Sequence, residues 1–224
     1  TSVNDDPVAV GDSATVAEGA TATIDLANND TDVDGTIDVT TIVIATNPTN
    51  GSVAINGNGT VDYTHDGSDT VGDTFEYTIN DNGGATSNVA TVTLTITAVN
   101  DNPVANPDSD TVNEEGTLNI DLASNDTDVD GTINPASIIV TTNPTNGSVA
   151  VNANGTVDYT HNGSETAGDT FEYTINDNQG ATSNAATVTL TVNPVNDAPT
   201  IVADSATVDE AATVSIDLAA NDTD

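Results

Sequence analysis

The sequence predicts an all-β protein built from tandem antiparallel β-sandwich domains of about seven strands each. Three observations carry that expectation. First, the chain repeats itself: VNDDP begins at Val3, VNDNP at Val99 and VNDAP at Val195, and 99 − 3 and 195 − 99 both give a period of 96. About 70 of the 96 positions are identical between the two full copies, and the alignment needs no gap. That period is too long for a solenoid unit and right for a complete small domain. Second, hydrophobicity within a copy alternates with period two. Third, turn signals separate the alternating runs. The expected domains are 3–98 and 99–194, followed by 195–224 as the first part of a third copy that supplies at most two strands.

In chain order, the first copy should place strands near Ser13–Val16, Thr21–Leu26, Thr41–Ala45, Ser52–Ile55, Thr60–Thr64, Thr74–Ile79 and Asn88–Thr97. ATIDLA sets Ile24 and Leu26 on one face. TFEYTIND gathers Phe75, Tyr77 and Ile79 and leaves Glu76 and Thr78 opposite. ATVTLTITA puts Ala90, Val92, Leu94 and Ile96 on one face and four Thr on the other. Alternation rich in Thr and Val marks half-buried antiparallel strands. NGNG at Asn56–Gly59, HDGSD at His65–Asp69 and NDNGG at Asn80–Gly84 mark the turns between them. No segment carries a helical stripe. Seven short strands in such a span read as an immunoglobulin-like sandwich, with all six Tyr and Phe in its cores. His65 and His161, at one repeat position, are expected as exposed turn residues.

The formal charge is −36, with neither Lys nor Arg in 224 residues. Such a polyanion does not bind nucleic acid or an anionic membrane surface. No apolar stretch approaches the roughly 20 residues that a spanning helix needs, so no membrane insertion is expected. Composition this acidic and poor in aromatics also fits disorder, but 35 % hydrophobic residues in clean alternation argue for a fold. There is no Cys, so stability must come from packing or from metal. No nucleophile elbow or metal-type His cluster points to catalysis, and no enzyme is expected.

The acids are concentrated. NDTDVDGT occupies Asn29–Thr36 and recurs at Asn125–Thr132, and the chain stops inside a third copy at Asn221–Asp224. Asp30, Asp32 and Asp34, and likewise Asp126, Asp128 and Asp130, alternate within five residues. Asp-x-Asp-x-Asp-Gly opens an EF-hand loop, but the twelfth positions are Thr41 and Ser137 rather than Glu, and flanking helices are missing. The alternate spacing of hard oxygens still points to a metal loop. Flexible all-oxygen, multi-carboxylate sites favour Ca2+ over Mg2+, and softer metals lack ligands.

VNDNP at the junction of two copies resembles the DxNDN linker of cadherins, and DTDVD about 25 residues later resembles their DxD motif. GTVDYTH, GDTFEYTINDNGG and VNDNPVA make each copy similar to the cadherin-like repeats in the extender regions of giant, calcium-dependent RTX-type bacterial adhesins. The resemblance implies ligands at the first junction from Glu18, from the linker residues Asn100, Asp101 and Asn102, and from Asp126, Asp128 and Asp177. Asp81 is the equivalent of Asp177 in the first copy. At the second junction it implies Glu114, Asn196, Asp197, Asp222 and Asp224, with a departure at Ala198 where the linker Asn is lost. For a further acidic ligand, Asp69 or Asp73 is a candidate in the first copy, and Glu165 or Asp169 in the second.

The resemblance further implies an extracellular, monomeric rod on the bacterial surface, in an adhesin anchored in the outer membrane. Its partners would be calcium ions and the adjacent repeats of the same chain. The competing expectation is a module whose copies contact carbohydrate or a neighbouring chain. Stacking on sugar would need exposed aromatics, and all six fit the cores.

Overall fold

Alternating Thr/Val segments become strands, and the Gly- and Asn-rich stretches between them become turns. The computed structural model describes residues 3–223. The chain divides into two units, Thr1–Asp101 and Asn102–Asp224. Unit 1 holds β1 (Ser13–Ala17), β2 (Thr21–Asp25), β3 (Ile37–Thr46), β4 (Gly51–Ile55), β5 (Thr60–His65), β6 (Gly72–Asp81) and β7 (Ala90–Thr97). Unit 2 repeats the series as β8 (Asp108–Asn113), β9 (Thr117–Asp121), β10 (Ile133–Thr142), β11 (Gly147–Val151), β12 (Thr156–His161), β13 (Gly168–Asp177) and β14 (Ala186–Asn193). The described residues contain no helix.

Each unit is a sandwich of two sheets. In unit 1 the orders are β1-β7-β6-β3 and β2-β5-β4; in unit 2 they are β8-β14-β13-β10 and β9-β12-β11. The pairing is antiparallel with one exception per unit, which the expected all-antiparallel sandwich did not include. β1 runs parallel to β7, with Ser13 opposite Thr93 and Ala17 opposite Thr97, and β8 runs parallel to β14. The first and last strands of a repeat share an edge and a direction, so the chain enters each unit at one end and leaves it at the other. Each strand in between reverses course. The β2–β3 loop and the end of β6 therefore lie at the entry end. The end of β1 and the β5–β6 loop lie at the exit end.

β3 begins earlier than the alternation suggests. Its register against β6 slips between Asp38 and Val43 and again between Ile44 and Thr46. The extra residues fold into a local turn: Thr40 N and Oγ1 donate to Asp38 Oδ1, and Thr41 Oγ1 donates to the Asp38 carbonyl. A bulge of this kind interrupts the period of two, which hides the first half of the strand. At the β4–β5 turn, Gly57 and Gly59 have φ of 70° and 91°, a left-handed region that favours glycine.

The inward faces form one core per unit. In unit 1 Val61, Tyr63, Phe75, Tyr77, Ile79 and Val92 are wholly buried, and their equivalents fill unit 2. All six aromatics are buried, and Tyr63 stacks on Phe75 with ring centroids 6.5 Å apart. The stretch 195–223 contributes no strand. One bridge joins Thr200 to Thr223, and Val208, Val214, Ile216 and Leu218 are exposed.

Candidate metal centres

Without Lys or Arg, a buried carboxylate must find N–H or O–H donors, or a cation from outside the chain. Most find donors. Asp73 accepts from Thr49 N, Asn50 N, Thr74 N and the Tyr63 hydroxyl. Burial alone would raise its pKa, but these hydrogen bonds outweigh burial and hold it low. Asp169 accepts the equivalent hydrogen bonds from Thr145 N, Asn146 N, Thr170 N and the Tyr159 hydroxyl. Asp30 accepts from Val10 N at 2.7 Å and from the Tyr77 hydroxyl at 3.0 Å. Asp126 accepts from Asn106 N and Tyr173 in unit 2, and Asp222 from Val202 N.

A few carboxylate oxygens find nothing. At the entry end of unit 1, both oxygens of Asp32 are shut from solvent and accept no hydrogen bond. The same end carries two further acids. Asp34 Oδ1 accepts from Asp5 N at 3.2 Å, and Asp81, 2 % exposed, accepts from Asn4 Nδ2 at 2.6 Å and from Ala85 N. Burial would raise the Asp81 pKa, yet Asn4 and the backbone N–H groups of Ala85, Gly84 and Gly83 bring it below the usual carboxylate value. It is therefore ionised. Gly35 lets the loop fold close here, since a Cβ on it would strike Asp32 Oδ2 and Asn82 Oδ1.

Unit 2 repeats the cluster. Both oxygens of Asp128 are buried, and no N–H or O–H reaches either in good hydrogen-bond geometry, although the backbone N–H groups of Val129 and Asp130 lie near. Burial first, and then the charges of Asp130 and Asp177, push its pKa up. Asp177 accepts from the backbone N–H groups of Gln179 and Ala181 at 2.8 Å.

The exit ends carry a second kind of cluster. In unit 1 one carboxylate oxygen each from Glu18, Asp69 and Asp101 lies within 4.8 Å of the others. In unit 2 Glu114, Glu165 and Asp197 do the same. Glu18 Oε2 accepts from Val99 N at 3.2 Å, and Glu114 Oε2 from Val195 N at 3.1 Å. Glu114 is only 4 % exposed, and its other oxygen, Oε1, has no hydrogen-bond partner.

The residues singled out from sequence thus separate into groups. Asp32, Asp34 and Asp81 lie at the entry end of unit 1, and Asp128 lies near Asp130 and Asp177 at that of unit 2, but neither trio gathers its oxygens as tightly as the exit-end clusters do. Glu18 meets Asp101, and Glu114 meets Asp197, at the exit ends. Between the paired candidates the geometry is decisive: Asp69 and Glu165 join these clusters, while Asp73 and Asp169 turn inward. Asp30 and Asp126 also turn inward, onto tyrosines. Asn100 and Asn196 donate from Nδ2 to the Asp101 and Asp197 carbonyls. Asn102 is exposed, and Asp224 lies outside the described residues.

Two features were missed. Asp12 and Asp108 approach the Tyr77 and Tyr173 hydroxyls, and single Asp residues in GDSAT and PDSDT gave no signal of this. Burial, with the nearby charge of Asp30 or Asp126 adding to it, raises each to about 6. His65 and His161 are not exposed turn residues but are 2 % and 3 % exposed, because each ring closes over loop backbone rather than facing solvent.

The sandwich resembles solved cadherin ectodomains. The EC1-4 fragment of Drosophila N-cadherin aligns with a TM-score of 0.52 at 15 % identity, over 86 % of this chain and 51 % of that one. This chain therefore spans about half the length of that fragment, and the likeness shows the fold. The human desmocollin-1 ectodomain aligns at 14 % identity with a TM-score of 0.41, over 89 % of this chain and 44 % of that one. No curated protein matches the chain. The family model of the bacterial cadherin-like domain matches twice in tandem, over residues 4–98 and 100–194. The chain belongs to the bacterial cadherin-like domain family.

Proposed function

We propose that these repeats are calcium-rigidified extender modules of a large bacterial surface adhesin, spacing a distal adhesive domain from the cell. The observation that carries the reading is Glu114. Its Oε1 is buried without a donor, beside Glu165 and Asp197, in a chain with no Lys or Arg. Burying an uncompensated carboxylate costs several kcal/mol, and a hard divalent cation bound by oxygens removes that cost. Ca2+ fits better than Mg2+, because clustered carboxylates beside carbonyl and amide oxygens suit its larger, more flexible coordination.

The residues that would hold calcium are Glu18, Asp69 and Asp101 at the exit end of unit 1, and Glu114, Glu165 and Asp197 at that of unit 2. At the entry ends they are Asp32, Asp34 and Asp81, and Asp128, Asp130 and Asp177. Bound there, calcium would neutralise like charges that otherwise repel, and would tie each linker to the repeat it leaves. Each linker would then lose much of its freedom. This role is mechanical and extracellular, where calcium is abundant, in an adhesin anchored at the outer membrane. The burial of all six aromatics weighs against the competing reading of a carbohydrate-stacking module.

Isothermal calorimetry of the metal-free chain with calcium tests the proposal, with Glu114→Gln as comparison. The parent should bind several ions, and the variant should lose one class of site. A parent that takes up no calcium refutes it.

A further inference from the structure

The buried histidines lie where the exit-end ligands are positioned. In unit 1, Nδ1 of His65 accepts from Gly19 N at 3.3 Å and from Gly67 N at 3.2 Å. Its Nε2 lies 2.9 Å from Thr70 Oγ1, and the His65 backbone N–H donates to the Ala20 carbonyl at 3.0 Å. Two N–H donors aimed at Nδ1 require a lone pair there. The ring proton is therefore on Nε2, and Nε2–H donates to Thr70 Oγ1. The partners come from two loops. Gly19 follows Glu18, and Thr70 follows Asp69, so one ring engages the residue on the C-terminal side of each ligand, through the Gly19 backbone N–H and the Thr70 hydroxyl.

Unit 2 repeats the arrangement although its loops differ in sequence. His161 Nδ1 accepts from Glu115 N at 3.4 Å and Gly163 N at 3.2 Å, and Nε2 faces Thr166 Oγ1 at 3.2 Å. These donors flank Glu114 and Glu165. Glu115 sits at φ 57° where the first copy has Gly19 at φ 64°. The turn is thus kept in its left-handed form even where the residue is not glycine.

We infer that His65 and His161 are positioning residues of the exit-end metal centres, acting through the Nδ1 lone pair that holds the two ligand loops together. This rests on the calcium reading above. A ring serving only as core filler against Tyr63 or Tyr159 (centroids 6.4 Å away in both units) makes a different prediction. Filler depends on volume, whereas positioning depends on an acceptor at the δ position.

Three substitutions separate the two. His161→Leu fills the space without an acceptor, and His161→Asn places Oδ1 close to where Nδ1 was. Thr166→Val removes the partner of Nε2 and leaves the ring intact. Each is titrated with calcium alone by calorimetry beside the parent and Glu114→Gln, which identifies the exit-end site, while circular dichroism monitors the fold. The expected result is a loss of about tenfold in exit-end affinity for His161→Leu, in the range for residues that orient metal ligands. His161→Asn should recover most of it. If His161→Leu fails to fold, Thr166→Val carries the test with a smaller loss at the same site. Equal affinity in all variants, or equal weakening in Leu and Asn, overturns the inference and leaves the calcium reading standing. A parent that binds no calcium overturns both.

Discussion

Replacing Asp12 and Asp108 by Asn should stabilise the protein at neutral pH and leave it unchanged in acid. The Tyr77 hydroxyl has one proton, yet it lies 3.3 Å from Asp12 Oδ2, 3.0 Å from Asp30 Oδ1 and 3.0 Å from the Leu26 carbonyl. Asp30 has a second donor in Val10 N and Asp12 one in Asn29 Nδ2, but burial first, and then the charge of Asp30, disfavours the ionised form of Asp12. Its pKa stands at about 6 against an ordinary 3.8. Between these values the folded chain holds a proton that the unfolded chain has released, so stability falls as pH rises through that window and is level above it. A shift of that size is worth at most about 3 kcal/mol. The carboxylate is partly exposed, and solvent screening reduces this to about 1 kcal/mol per unit. Thermal melts in excess chelator, with about 1 M salt to screen the net charge, should show the double variant melting about 4–8 °C higher at pH 7. At pH 3.5 the two chains should coincide. A variant that melts lower at pH 7, or gains equally at both pH values, refutes the reasoning.

Two further outcomes follow from the entry end and the tail. Gly35→Ala drives a methyl into the Asp32 carboxylate and the Asn82 amide, so those side chains must turn aside, which should leave melting in chelator little changed but weaken calcium binding in unit 1, read by calorimetry. Deleting 198–224 removes no strand and no exit-end ligand, so the melting of both units should be unchanged, and a clear fall would show that the tail packs on unit 2.

The strand pattern was legible because Thr/Val alternation reports a half-buried sheet directly. Ile24, Phe75, Tyr77, Val92 and Leu94 could be placed on the core face from the period alone. Two features of the fold were hidden. The start of β3 sits in a bulge that breaks the alternation at Asp38–Val43, and the parallel pairing of β1 with β7 depends on which edge the first strand joins. In the candidate sites, spacing marked Asp32 and Asp34 but not the inward turn of Asp30, because alternate residues of a loop do not alternate faces as strand residues do. Asp69 and Asp73 were equivalent in sequence. What divides them is that the Tyr63 hydroxyl and three backbone N–H groups reach Asp73 alone. His65 looked like a turn residue because it begins HDGSD, but as the last residue of β5 it carries the inward face of that strand into the turn.

In the proposed role, calcium supplies the positive charge this chain lacks. The most direct measurement is the melting temperature of the parent chain in excess chelator and then in rising calcium, with magnesium as control. At free calcium 100-fold above the dissociation constant, each site adds about 2.7 kcal/mol, a large share of a small domain's stability. The melting temperature should rise steeply, by many degrees, with calcium and little with magnesium. A melting temperature that excess chelator does not move would contradict that role.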